Sequence, residues 1–183
     1  MKKLIIVFVF MLSLVLFVGC DKKEKWEVAQ TISYSEIAEW EPMVTPVENS
    51  GNGSIYETNT TDGYVTVKAA ADGWGGVQSG SITLDLSKHP LLMVRVYENP
   101  DGSKWAVKFM PDNPVEGHEW GLYLIEDNNF KWNKYGVVDV RDMLGETIVE
   151  LYGEKITGKI WLMAAGGPEA VVSVSEIKIV NTR

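Results

Sequence analysis

The sequence predicts an all-β sandwich over most of its length. Beyond Gly53 the chain consists of short runs rich in Val, Ile, Thr, Tyr and Trp, in which apolar and polar residues alternate as they do in half-buried strands. Turn-forming residues separate these runs, for example at 61–63 and 165–168. Helical turns are indicated only at 141–144 and 87–89, so two packed sheets are the most economical architecture.

The strands can be placed from the runs and the turns between them. We expect strands at 54–60, 63–71, 77–86, 91–98, 104–110, 119–126, 136–139, 156–165 and 171–180.

Alternation assigns side chains to opposite faces of each strand. The predicted core rows are Leu92, Val94 and Val96, then Trp105, Val107 and Phe109, then Trp120, Leu122 and Leu124, and finally Ile160, Leu162 and Ala164. The opposite faces of these strands carry charged and aromatic side chains, so the sequence predicts a mixed second surface.

This second surface has the chemistry of a carbohydrate site. Sugars stack their C–H faces on aromatic rings, and charged or amide groups bond the hydroxyls. The candidate strand residues are Arg95, Tyr97, Lys108, Tyr123 and Trp161, and the candidate loop residues are Trp74 and Trp132. The alternative is that the rings cover structural contacts and that the charges form solvated cross-strand pairs.

The first residues have the layout of a secretory signal. Lys2 and Lys3 precede an apolar run from 4 to 18 that is interrupted only by Ser13, and Gly19-Cys20 ends it. An uncleaved membrane anchor is the alternative, although the run is short for a bilayer span. Cys20 is the only cysteine, which excludes an intrachain disulfide. We expect a signal peptide at 1–19, a tether at 20–35 and one β-sandwich domain at 36–183.

The net charge of the chain bears on which macromolecules it can bind. The formal net charge is -8, and loss of the two signal-peptide lysines would bring it to -10. Because such a surface repels phosphate backbones, nucleic acid is an unfavourable partner.

Two stretches of the sequence resemble known families. Phe-Val-Gly-Cys at 17–20 resembles the lipobox of bacterial lipoproteins, with Phe17 in place of the usual leucine. The resemblance implies that Cys20 is lipidated and that the protein is attached to the cell membrane or outer membrane, facing away from the cytoplasm.

The stretch from Gly63 to Ile179 resembles the galactose-binding-like jelly roll of carbohydrate-binding modules. The matching segments are Trp-Gly-Gly-Val at 74–77, Ile-Thr-Leu-Asp-Leu-Ser at 82–87, Gly-Ser-Lys-Trp-Ala-Val-Lys at 102–108 and Val-Ser-Val-Ser-Glu-Ile-Lys-Ile at 172–179. The resemblance implies a jelly-roll sandwich that binds carbohydrate. It also implies a possible structural calcium near Glu176; no other cofactor is expected.

Catalytic patterns do not stand out. The chain has only His89 and His118, and it contains neither a Gly-x-Ser-x-Gly elbow nor a His-Glu-x-x-His helix. The sequence therefore predicts a lipid-anchored, non-catalytic carbohydrate-binding domain. The alternatives are an envelope structural or protein-interaction lipoprotein that uses the same patch, and a small hydrolase whose site the sequence does not reveal.

Overall fold

The strands form two antiparallel sheets. The computed structural model describes residues 26–100, 102–125 and 132–183, with the backbone alone at 132–134. Sheet I runs in the order β10 (Trp132–Asp139), β7 (Pro90–Glu98), β12 (Val171–Asn181), β4 (Tyr64–Lys68) and β3 (Ser54–Asn59), with β1 (Glu27–Ser33) also paired to β12. Sheet II runs in the order β2 (Glu41–Pro42), β5 (Trp74–Gln78), β11 (Lys155–Ala165), β8 (Lys104–Pro111) and β9 (Leu122–Ile125), with β6 (Ile82–Asp85) also paired to β11.

The chain crosses between the two sheets at most connections after β4. Strands β4, β7, β10 and β12 lie in sheet I, and the intervening strands β5, β6, β8, β9 and β11 lie in sheet II. Such crossing is typical of a jelly roll. The predicted all-β sandwich is confirmed.

The core rows agree with the alternation of the sequence. Leu92, Val94 and Val96 of sheet I are fully buried, and they belong to one hydrophobic cluster with side chains of sheet II. The sheet II members predicted for this cluster are Trp105, Val107, Phe109, Leu122, Leu124, Ile160, Leu162 and Ala164. These rows fix which face of each strand points outward.

The sandwich begins earlier than the sequence predicted. Strand β1 pairs with β12 from Glu27 opposite Asn181 to Ser33 opposite Glu176, so it lies in the sheet although the tether was expected to extend to residue 35. A short helix, α1 (Tyr34–Ile37), follows at once. It begins with a capping box, in which the Glu36 carboxylate accepts hydrogen bonds from the backbone N–H and the hydroxyl of Ser33, both at 2.8 Å.

The predicted strand at 77–86 is two strands. Strands β5 and β6 pair with successive parts of β11, and Ser79 lies between them. Its hydroxyl accepts a hydrogen bond from the backbone N–H of Ile160 at 2.9 Å, so a side chain replaces one rung of the ladder. The remaining helical elements are a 3-10 turn (Leu86–Lys88), α2 (Val140–Leu144) and α3 (Glu146–Tyr152).

Several sequence predictions lie outside the described residues. These are the signal peptide, the lipidated Cys20 and the first part of the tether. In the part of the chain that the structure describes, no helix is both long and apolar enough to cross a bilayer.

Gly76 provides a stability test of the β5–β11 pairing. A Cβ built on Gly76 would overlap the carbonyl oxygen of Leu162, whereas one on Gly80 would meet nothing within 4 Å. We expect Gly76→Ala to lower the free energy of unfolding by about 2 kcal/mol or more, and Gly80→Ala to change it by about 0.5 kcal/mol or less. Urea unfolding followed by circular dichroism measures both; equal effects would show that the close approach does not constrain the sheet.

Candidate functional site

The outer face of sheet II carries a continuous set of side chains along β11. Because Ile160, Leu162 and Ala164 point into the core, Trp161, Met163 and Ala165 point outward. Each faces a residue on both neighbouring strands, and the register gives three cross-strand rows. The rows are Ala165 with Trp74 and Lys104, Met163 with Gly76 and Ala106, and Trp161 with Gln78 and Lys108.

The first two rows form an open groove. Its cavity volume is about 270 Å³, and it is lined by Trp74, Lys104, Trp105, Ala106, Tyr123, Met163 and Ala165. The Tyr123 side chain is 40% exposed. Trp120, which is 39% exposed, extends the aromatic wall, because its ring centroid lies 6.0 Å from that of Trp74. Three rings from two chain segments, one at the start of β5 and one around β9, therefore border one concave surface.

Trp74 is held by the segment before β3. A Cβ on Gly51 would lie 2.6 Å from the Trp74 ring, so the ring occupies space that only glycine leaves open. The Asp72 carboxylate accepts hydrogen bonds from the Ser50 hydroxyl at 2.8 Å and the Gly51 N–H at 3.1 Å. The hydrogen bond from Ser50 is the largest effect on the pKa of Asp72, which lies below its usual value. Asp72 thus remains a carboxylate acceptor that fixes Gly51 against the ring.

Lys108 positions the aromatic wall. Its side chain is buried, its Nζ donates to the carbonyl oxygen of Trp120 at 2.8 Å, and the same nitrogen lies 4.0 Å from the centroid of the Tyr123 ring. These contacts connect β8 to the turn before β9 and place a cation against the ring. Lys108 therefore supports the Trp120 backbone and the Tyr123 ring at the border of the groove.

Trp161 is covered. It is fully buried in a small cluster with Met43 and Met163, against which Trp74 and Met110 pack. Its indole N–H has no hydrogen-bond partner among the described residues. Trp161 points away from the core, as alternation predicts. Its ring is nevertheless buried, because the segment that begins at Met43 lies over it.

Arg95 and Tyr97 lie on the other side of the sandwich. Both belong to β7 of sheet I, and Tyr97 stacks on Tyr64 with the centroids 4.2 Å apart. The sequence placed these residues on the same surface as Lys108, Tyr123 and Trp161, and this placement is wrong. Alternation along a strand predicts which face of its own sheet a side chain lies on. It does not predict which of the two sheets the strand belongs to, because that depends on the pairing of the strands.

Trp74 and Trp132 are strand residues instead of loop residues. Trp74 is the first residue of β5 and Trp132 the first residue of β10. Trp132 pairs with Glu98 in sheet I, away from the groove strands, and its side chain lies outside what the structure describes.

Sequence reasoning missed Trp120. It was assigned to the core row with Leu122 and Leu124, but Gly121 has a φ of +72° and ends the regular alternation before β9. The glycine directly after the tryptophan was the available signal, because an isolated glycine inside a strand pattern often marks a break.

The contacts of Glu176 do not fit a calcium site. Its carboxylate accepts hydrogen bonds from the Tyr135 hydroxyl and from the Lys178 Nζ at 3.0 Å, and Arg95 lies 3.9 Å away. Calcium requires several oxygen ligands and negative charge, whereas the groups around this carboxylate are hydrogen-bond donors and cations.

No carboxyl group of the described residues has a raised pKa. Burial raises the pKa of Glu176, but the hydrogen bonds from Tyr135 and Lys178 and the charges of Lys178 and Arg95 outweigh it and leave the pKa below its usual value. Every described carboxyl group whose pKa departs from its ordinary value has it lowered; the others are Glu36, Asp72, Asp85 and Glu119. A general acid would need a raised pKa.

Comparison with known proteins gave matches among solved structures alone. Neither a protein-family model nor a curated protein sequence matches the chain. One similar structure is the second N-terminal cellulose-binding domain of Cellulomonas fimi β-1,4-glucanase C, at 10% identity and a TM-score of 0.44, covering 90% of this chain and 99% of that one. Another is a β-1,3-glucan-binding CBM6 from Bacillus halodurans, at 17% identity and a TM-score of 0.39, covering 84% and 95%. Both are carbohydrate-binding modules, the class of domain that the sequence resembles; at these similarities they indicate nothing about this chain's ligand.

The Glu176 network predicts a pH-dependent contribution to stability. Because its folded pKa is lowered, the contribution is fully present above the unfolded pKa and is lost as the pH falls through the folded pKa. We expect Glu176→Gln to lower the free energy of unfolding by about 1–2 kcal/mol at pH 7, and the difference from the wild type to shrink in acid. Urea unfolding across pH 2–7 measures it. Glu169→Gln is the control, since the side chain of Glu169 is 86% exposed in its pair with Lys68 and such pairs contribute little; the same loss in both variants would contradict the assignment.

Proposed function

We propose that this chain is a lipid-anchored, non-catalytic carbohydrate-binding protein whose site is the groove on the outer face of sheet II. The observation that carries the proposal is the convergence of Trp74, Trp120 and Tyr123 on one concave surface with Lys104 at its edge. Ligand sites are typically concave and mainly apolar, with a few polar groups that fix orientation.

The chemistry of the groove suits a sugar chain. Aromatic rings offer flat apolar area for the C–H faces of a pyranose while keeping a polar edge toward water. The ammonium of Lys104, on an exposed side chain, offers donors for hydroxyl oxygens.

A polysaccharide panel tests the groove. We expect the full-length chain to be retarded in affinity gels that contain the soluble polysaccharide it recognises, and Trp120→Ala or Tyr123→Ala to weaken that binding by about tenfold or more, which corresponds to about 1.4 kcal/mol. Tyr56→Ala is the matched control, because Tyr56 is a 65% exposed aromatic residue of sheet I.

Two results would contradict the proposal. Equal loss of binding in Tyr56→Ala and Tyr123→Ala would show that the groove is not the binding site. Failure of the wild type to bind any plant, algal or bacterial polysaccharide would favour the alternative, an envelope structural or protein-interaction lipoprotein.

The lipid anchor rests on the sequence from Lys2 to Cys20 and has its own test. In bacteria expressing the full-length chain and fed an alkyne fatty acid, we expect the protein to take up the label and to sediment with membranes. Cys20→Ser should abolish labelling and leave an uncleaved or soluble form. Equal labelling of the variant would exclude Cys20 as the modified residue.

A further inference from the structure

The groove continues beneath a short covering segment. Trp161 is the outward residue of β11 next to Met163, two residues earlier in the chain. Outward residues of one strand are spaced by about 7 Å, two residues at about 3.4 Å each. The row of Trp161, Gln78 and Lys108 is therefore the next step along the same groove floor. It differs from the open rows in being covered.

The cover is one chain segment thick. Met43 is 1% exposed and contacts Trp161, whereas Val44 and Val47 beside it are 69% and 52% exposed. The segment is tied to sheet II by the Met43 N–H to the Gly76 carbonyl at 3.1 Å and by the Val44 N–H to Oε1 of Gln78 at 3.1 Å. Directly before Met43, strand β2 pairs with β5 at the edge of sheet II, with Glu41 opposite Gln78. A two-residue edge strand and the two hydrogen bonds after it therefore hold a single buried side chain over the tryptophan.

The covered tryptophan carries an unused donor. The Trp161 indole N–H is buried and has no partner within the described ranges. An unpartnered buried donor costs free energy, and native proteins retain few of them. A ligand hydroxyl that reached this position would accept the hydrogen bond that the closed form lacks.

We propose that Trp161 is a covered subsite of the groove, which opens when Met43 is displaced and then receives one further sugar unit of a bound chain. The ring would supply a stacking surface, and its N–H would donate to a hydroxyl. This inference rests on the proposed carbohydrate-binding function and deepens it, because it makes the site selective for longer chains.

Opening can be measured without ligand by hydrogen exchange at the indole N–H groups. Trp105 is an internal reference, since its indole N–H is likewise buried and unpartnered but belongs to the core between the sheets. We expect the Trp161 indole proton to exchange at least about tenfold faster than that of Trp105, as local opening is cheaper than unfolding. Met43→Ala should accelerate exchange at Trp161 alone. Equal exchange at the two indoles in the wild type would overturn the inference.

Length dependence of binding tests the subsite itself. The probe is the ladder of oligosaccharides obtained by partial acid hydrolysis of the polysaccharide that the wild type binds, titrated by calorimetry. We expect affinity to rise when the chain becomes long enough to reach Trp161. Trp161→Phe should lose part of that rise while binding the shorter members as the wild type does.

Removing the cover should have the opposite effect. We expect Met43→Ala to bind the longer members about tenfold more tightly, because a competent state populated at about 10% or less weakens the apparent affinity by that factor. Val44→Pro, which removes the N–H donor to Gln78 at a residue that is 69% exposed, is the second variant should Met43→Ala fail to fold, and it should change affinity in the same direction.

The outcomes separate the two proposals. Absence of any binding by the wild type overturns the proposed function and the subsite with it. Wild-type binding with the same length dependence in Trp161→Phe and in the cover variants leaves the groove as the site and overturns the subsite alone.

Discussion

Burial of alternate residues of β11 is the constraint on which the rest of the structure depends. The strand lies inside sheet II between β8 on one side and β5 with β6 on the other. Ile160, Leu162 and Ala164 are fully buried in the core between the sheets. Since successive side chains point to opposite faces, the same strand must present Trp161, Met163 and Ala165 outward. The groove floor is thus a geometric consequence of packing the core.

Much of the fold could be predicted because burial leaves a period of two in the sequence. The rows of β7, β8 and β11 are buried as alternation requires. The prediction failed where local chemistry interrupts the period: Ser79 divides one expected strand into two, and Gly121 turns Trp120 out of the core row. Such interruptions depend on one side chain or one φ value, so periodicity alone could not locate them.

The candidate site was predicted less well for a different reason. The residue types were informative, and Trp74 and Tyr123 do border the groove. Whether two outward faces belong to one surface depends on strand pairing between segments far apart in sequence, which placed Arg95 and Tyr97 on sheet I. Burial of Trp161 depends on Met43, more than a hundred residues earlier in the chain. No local pattern carries that information.

The pairing of β1 with β12 places the start of the domain and the groove at opposite ends of the sandwich. Glu27 lies opposite Asn181, so the start of β1 lies at the far end of β12 from the turn that joins β12 to β11. Eleven strand residues separate these two ends by about 35 Å, and Ala165, beside Trp74 and Lys104, lies at the turn end. Whatever is attached before Glu27 therefore joins the domain about one strand length from the mouth of the groove. For the proposed lipid anchor, the β-sandwich itself would act as a spacer between the membrane and the groove.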